Sequence, residues 1–539
     1  MATSLHLRDY LVATSLALVV LAYGFGLMVP GVCGVFHDDA IYVATAKALA
    51  TGQGYRLINL PDSPPQTKYP ILYPALLALI WKIWPSFPEN LVIMQILNLV
   101  LGALAVGLGY LYLVRWSYAS PVAAGAAGLL TAVSPWFLYF CGLTMSEMFF
   151  ALATVIAAWA LESYLQEDQP HLGQHIGLGI ILALPGLIRL LGLVFVPLGL
   201  WLIWRQKKPF LAVAAPCLMI LLIMAGWMLL GRPKPEVEVL SYYHDYWGWW
   251  LKCSSLIWPR ILIYNLIFTI SSIFGLLNPN FFQLQELTRY FWLPAILGGT
   301  AILVVLGLQT ARQRVLPILL IGYLTVILFW PWPPIRFLIP LLIFFLALPL
   351  ELLRQALKRQ VFFIPGAIAA GLVTIVLVTN TYFSWQISRM NSRSGYPLPQ
   401  RQNEKAVEVS WTDFRDLFAW ITSHTATDEI IASNFDTMIF LYTGRQGFRP
   451  YFDDPKVLFY RVPGASFASS AAMAQVLIAK KTRYLVQTPM PLYAAADYWQ
   501  NLVEQLQQSY PHWLQLVYTG KDPRFKVFAL RPGQKLDHD

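Results

Sequence analysis

Charge is scarce in this chain. Only 12% of its 539 residues are Asp, Glu, Lys or Arg, against about 25% in an ordinary soluble domain, and 57% are hydrophobic. A soluble globular protein is excluded. Cysteine is almost absent: Cys33, Cys141, Cys217 and Cys253 lie far apart, match no metal or redox spacing, and read as small buried hydrophobes. Residues 381–539 lack a glycine-rich phosphate loop, an HExxH pair and a CxxC, so that stretch offers no chemistry of its own. Acids are outnumbered, and the net charge is +10. The cations sit in short clusters between apolar segments, which excludes nucleic acid as a partner.

Long apolar runs are what the chain has instead. A hydrocarbon core about 30 Å thick needs roughly 20 apolar residues per helix, and such runs recur from residue 11 to about residue 380. The expectation is an α-helical polytopic membrane protein of about eleven spans. Basic clusters at Arg115, at Arg205 with Lys207 and Lys208, at Arg312 with Arg314, and at Arg354 with Lys358 and Arg359 are assigned to the cytoplasm. With the N-terminus inside, spans at 11–32, 91–114, 121–141, 146–165, 176–187, 190–204, 209–230, 291–309, 315–330, 337–350 and 361–380 satisfy that assignment. The segments Tyr69–Trp84 and 261–278 read as juxtamembrane or interfacial. The first run follows a single Arg8 and lacks a small-residue cleavage site, so it is a retained helix rather than a signal peptide.

Two domains are expected: residues 1–380 in the membrane, with a first outer loop at 33–90, and an extracytoplasmic α/β domain at 381–539. In the latter, WTDFRDLFAWITSH (411–424) places Trp411, Phe414, Leu417, Phe418 and Ile421 on one helical face. Strand-like runs follow at 429–433, 483–488, 514–519 and 525–530.

A few polar residues interrupt the apolar half. Asp38 and Asp39 open FHDDAIYVATAKALATGQGY (36–55), where carboxylates suit the first turn of a helix; capping and function both remain open. Glu147 lies in SPWFLYFCGLTMSEMFFAL. An acid in such a setting costs about 2.5–3.5 kcal/mol at mid-membrane, which favours a site residue over a cap. Lys68 in TKYPILYP, Arg189 in LPGLIRLLGLVF and Arg336 in PWPPIRFLIP map to outer ends of apolar segments, against the positive-inside bias. Cations so placed suit phosphate, with snorkelling towards lipid headgroups as the alternative. Pro185 and Pro334 beside Arg189 and Arg336 favour function. His37 and His244 read as interfacial residues rather than ligands.

An acidic pair heading a YxxxAxxLxxGxGY-like segment, then KYPILYP, then the SE of 146–147, then a proline-flanked RFLIP, resembles the class C membrane glycosyltransferases. Within these it is similar to bacterial relatives of protein O-mannosyltransferases and aminoarabinose transferases. The resemblance covers roughly residues 1–380, and LYTGR (441–445) is similar to the tail of many members. It implies a polyprenyl-phosphate-linked sugar as donor and a lipid, protein or cell-envelope glycan as acceptor, on the outer face of the plasma membrane. It implies Asp38 as catalytic base, Asp39 where relatives commonly carry Glu, and Glu147 as the acid of the second outer loop. Lys68, Arg189 and Arg336 are then the donor-phosphate ligands. No cofactor is required by the pattern; a divalent cation, magnesium or manganese, held by Asp38 and Glu147 is the one candidate. A polytopic transporter of an anionic or lipid-linked substrate, a glycan ligase or polymerase, and a catalytically silent scaffold are the alternative readings.

Overall fold

Inside a membrane a chain must satisfy its own backbone polar groups, and runs of about twenty apolar residues do so as helices. The computed structural model, mostly helical, describes residues 3–232, 238–254, 257–275, 299–300, 302–308, 314–358, 366–397, 409–451, 454–460, 462, 469–489 and 496–531. In chain order it opens with α1 (Leu7–Leu27), α2 (Asp38–Ala50), α3 (Leu72–Ile83), α4 (Glu89–Arg115), α5 (Pro121–Ala132), α6 (Pro135–Cys141), α7 (Glu147–Gln166) and α8 (Leu172–Ile188).

Among the described residues, five helices are long and apolar enough to cross a membrane: α1, α4, α7, Phe210–Leu230 and Ile335–Lys358. The pair α5 and α6, bent by 63°, forms either a broken sixth span or a re-entrant loop. Ser134 restarts the helix at this bend, its hydroxyl accepting from the Phe137 N–H ahead of Pro135. The runs at 176–187, 190–204 and 315–330 form the shorter apolar helices α8, Leu190–Arg205 and Val315–Leu328, so length and composition do not reach eleven spans. Most of 291–309 lies outside the described residues. The segment from Tyr69 contains α3, 12 residues long and too short to span.

Arg115, Lys208 and Arg314 of the basic clusters lie at one end of the bundle, together with the first described residues of the chain. Thr3 N–H donates to the Arg115 carbonyl at 2.8 Å, Arg314 donates to the carbonyls of Trp116 and Ser117, and Lys208 donates to that of Tyr164 at 3.2 Å. Shared placement of these cations is the pattern that charge bias at insertion produces.

Helix Gly366–Ser394 runs straight through residue 380 and leads to the C-terminal domain. Its sheet has the order β2-β1-β3-β5-β4, built from β1 (Ile431–Ser433), β2 (Gly447–Phe448), β3 (Tyr484–Gln487), β4 (Leu514–Thr519) and β5 (Lys526–Leu530). Strand β1 is parallel to β2 and β3, while β5 is antiparallel to β3 and β4. Helix Trp411–His424 buries Phe414, Leu417, Phe418 and Ile421, the face its periodicity marks. This core does not stop at the domain edge. Val32, Val35, Ile41, Leu57 and Leu60 of the first loop region belong to the same buried cluster as Phe414, Phe435 and Met438.

Candidate active site

Helix α2 begins at the end of the bundle that faces the C-terminal domain. The loop before it is folded by Asp39, whose Oδ2 accepts from the Gly34 and Val35 N–H groups at 2.7 and 3.1 Å and whose Oδ1 accepts from Phe36 at 3.0 Å. Gly34 sits at φ +101, and a Cβ there would lie 2.6 Å from Met438 Cβ, so only glycine fits the turn. Consecutive helical residues point about 100° apart, so with Asp39 committed to the loop, Asp38 faces a different neighbourhood.

That neighbourhood gathers most of the charges singled out in the sequence. Asp38 Oδ1 accepts from the Tyr69 hydroxyl, and Oδ2 accepts from Arg336 Nη1 at 2.8 Å. Arg336 also donates through Nε to Glu147 Oε1, and Arg189 Nη1 reaches the same oxygen at 2.7 Å. Arg189 donates further to Ser146 Oγ at 3.0 Å, which stands 3.1 Å from the Tyr42 hydroxyl. Each arginine is aimed by a break in its helix. Arg189 is the extended residue (φ −144, ψ 135) between α8 and the 3-10 turn Leu190–Val194; Arg336 follows the PWPP segment in Ile335–Leu338, the first turn of the Ile335–Lys358 helix.

The two acids are not equivalent. The Glu147 side chain is 0% exposed and Asp38 is 15% exposed, so Asp38 alone of the two can meet an incoming group. Glu147 Oε2 is buried with no hydrogen-bond partner among the described residues. Burial pulls the Asp38 carboxyl upward, but the charges of Arg336 and Lys68 outweigh it and hold the group well below the usual carboxylate range. Asp39 is pushed up to about 6 by burial, against the pull of its backbone donors.

Lys68 is buried beside this cluster, its Nζ 3.3 Å from the centroid of the Tyr242 ring and 4.8 Å from that of Tyr69. A cation held over aromatic faces is desolvated without being neutralised. Five of the six residues marked in the sequence thus share one site. The sixth, Asp39, supports the loop from behind.

His37, read from the sequence as an ordinary interfacial residue, is buried. Its Nε2 is 2.9 Å from Asp436 Oδ1 and 3.1 Å from the Tyr243 hydroxyl. Burial and the Arg449 charge hold the imidazole below its ordinary value, and Nε2 faces the Asp436 carboxylate, which can only accept, so Nε2 is the donor. Tyr69 and Ser146 were not marked either, although both sit inside the motifs that drew notice.

The cation suggested for Asp38 and Glu147 does not fit what lies between them. Arg336 donates to both carboxylates, placing a guanidinium where a shared ion would bind. No three His, Cys, Asp or Glu side chains come together as a metal site among the described residues.

No family model and no curated protein matches the sequence. Solved structures do match. The oligosaccharyltransferase of Archaeoglobus fulgidus, in complex with Zn and sulfate, is 13% identical with a TM-score of 0.56, the match covering 96% of this chain and 73% of that one. The same archaeal enzyme, AglB, in complex with an inhibitory peptide and a dolichol-phosphate, gives 13% identity and a TM-score of 0.51 over 96% of this chain and 74% of that one. ArnT from Cupriavidus metallidurans, bound to undecaprenyl phosphate, is 14% identical with a TM-score of 0.46 over 96% and 97%. At such identity the likeness to the archaeal enzyme carries architecture alone: this integral membrane protein has the class C glycosyltransferase fold.

Proposed function

We propose that the chain is a membrane glycosyltransferase that moves a sugar from a polyprenyl-phosphate donor to an acceptor at the outer membrane face, with Asp38 as general base. The observation that carries this reading is the pairing of a partly exposed carboxylate with a shared arginine at helix breaks beside a buried lysine. The class C fold supports it, as does the dolichol-phosphate carried by AglB, a protein of that fold.

A lipid phosphate leaves without needing a proton, because its charge is stabilised by fixed cations. Lys68, Arg189 and Arg336 supply these. The acceptor O–H or N–H gives its proton to Asp38, the acceptor atom bonds to sugar C1, and the C1–O bond to phosphate breaks with its electron pair going to the phosphate. One displacement inverts the anomeric centre. While bound to Arg336, Asp38 is a weak base. An arriving phosphate competes for the same guanidinium, and release of Asp38 couples donor binding to base activation. Glu147 orients both arginines.

The test is transfer from radiolabelled undecaprenyl- and dolichyl-phosphate sugars by the purified protein in lipid nanodiscs, wild type against Asp38→Asn. Loss of about 10²-fold or more is expected for removal of a general base. Unchanged transfer by the variant sinks the assignment. Uptake into sealed vesicles without any covalent product would instead support a transporter.

A further inference from the structure

The acid proposed as base is followed in space, though not in sequence, by a carboxylate of the C-terminal domain. His37, the residue immediately before Asp38, caps α2 at φ 66 and ψ −50, a conformation that residues with a Cβ disfavour. Such a residue keeps this shape only where its surroundings over-determine it. The backbone is held by the Asp39 carboxylate and by the Asp38 N–H, which donates to the Phe36 carbonyl at 2.7 Å; the side chain is held by Asp436, the first residue of helix Asp436–Thr443 and itself buried. Its Oδ1 holds His37 Nε2 at 2.9 Å; its Oδ2 accepts from Asn59 Nδ2 and from the Tyr243 hydroxyl, each at 3.3 Å. One carboxylate of the outer domain therefore gathers both arms of the first loop and the segment around Tyr243.

We propose that Asp436 is a positioning residue for Asp38: by holding the His37 side chain while its backbone sits at positive φ, it sets the first turn of α2, and with it the direction in which Asp38 faces Arg336 and the acceptor. This rests on Asp38 being the base. The outer domain then completes the site rather than merely covering it, although Asp436 touches no reacting group.

The proposal is read with the full-length chain in nanodiscs, using whichever undecaprenyl-phosphate sugar of the radiolabelled panel the wild type consumes. Asp436→Ala is expected to lower kcat by about 10²-fold, the scale of a misplaced catalytic group, with KM for the donor within about twofold. Adding His37→Gly to Asp436→Ala is expected to restore at least about tenfold of the loss, because glycine adopts positive φ without a clash. A role in domain stability alone leaves the double variant no better than the single one, and that result overturns the proposal. So does wild-type kcat in Asp436→Ala when Asp38→Asn is inactive. Should Asp436→Ala fail to fold, Asp436→Asn keeps the shape with one acceptor oxygen, and an intermediate loss relieved by His37→Gly is expected; no relief overturns the proposal. If Asp38→Asn transfers normally, the base assignment fails by itself. The clamp is then read by amide exchange at residues 38–41, which speeds in Asp436→Ala if His37 is held as described and is unchanged if it is not.

Discussion

Arg336 serves two carboxylates with one side chain, and that task depends on the shape of a guanidinium. Its Nε and Nη1 diverge to Glu147 and Asp38, whereas a lysine ammonium offers a single point of charge. Arg336→Lys is expected to lower kcat by about 10²-fold while the protein stays folded, measured by transfer assay beside thermal melting. Glu147→Ala should act differently. It leaves Arg189 without its carboxylate beside Arg336, which keeps only Asp38, and breaking a buried pair in this way costs about 3–5 kcal/mol, read as a lower melting temperature in detergent. Proton affinity separates the adjacent acids. A base must be ionised, so activity falls as pH drops through its pKa, and kcat/KM reports the free enzyme. With Asp38 held well below the ordinary range, its own protonation should not lower kcat/KM between pH 7 and pH 5. Asp39 is pushed up to about 6 and folds the loop before α2, so an acid limb near pH 6 would report Asp39, through that loop or as the base itself, and not Asp38.

Element breaks place these residues, and this is the scale at which the sequence was partly legible. Proline beside Arg189 and Arg336 was visible, and so was the cost of burying Glu147. The bend between α5 and α6 was not, because each half is apolar and nothing in a hydropathy window marks 63°. The count of eleven spans is not confirmed among the described residues for a similar reason, since short apolar helices and full crossings read the same in a hydropathy window. The commitment of Asp39 to the loop could have been read from helical geometry, which prevents residues i and i+1 from sharing a face. The turn after Arg189 depends on Gly192, where an added Cβ would lie 2.4 Å from the Pro185 carbonyl carbon and oxygen. Gly192→Ala must move the backbone next to Arg189. Its expected effect is weaker binding of undecaprenyl phosphate by about tenfold, about 1.4 kcal/mol, measured by titration in nanodiscs.

Across the whole molecule, the C-terminal domain and the first loop share one core. Tyr442 donates to the Gly31 carbonyl at 2.7 Å and accepts from the Cys33 N–H, Gln446 donates to the Ile58 carbonyl at 3.0 Å, and Gly447 N–H donates to that of Asn59 at 2.8 Å. None of this could be read from the sequence, in which the α/β pattern after residue 410 was clear but its docking partner was not; the contacts join residues several hundred positions apart. A chain cut after residue 396 would expose Val32, Val35, Ile41, Leu57 and Leu60. It is expected to aggregate on extraction and to lose transfer, checked by gel filtration and assay; a monodisperse, active truncation would contradict a shared core. The separation between His37 and Asp436, 399 residues, also gives the site a timetable. The early helices are threaded into the bilayer long before the last third of the chain exists. A copy synthesised only as far as its membrane half therefore holds Asp38, Glu147, Arg189 and Arg336 without the carboxylate that meets His37.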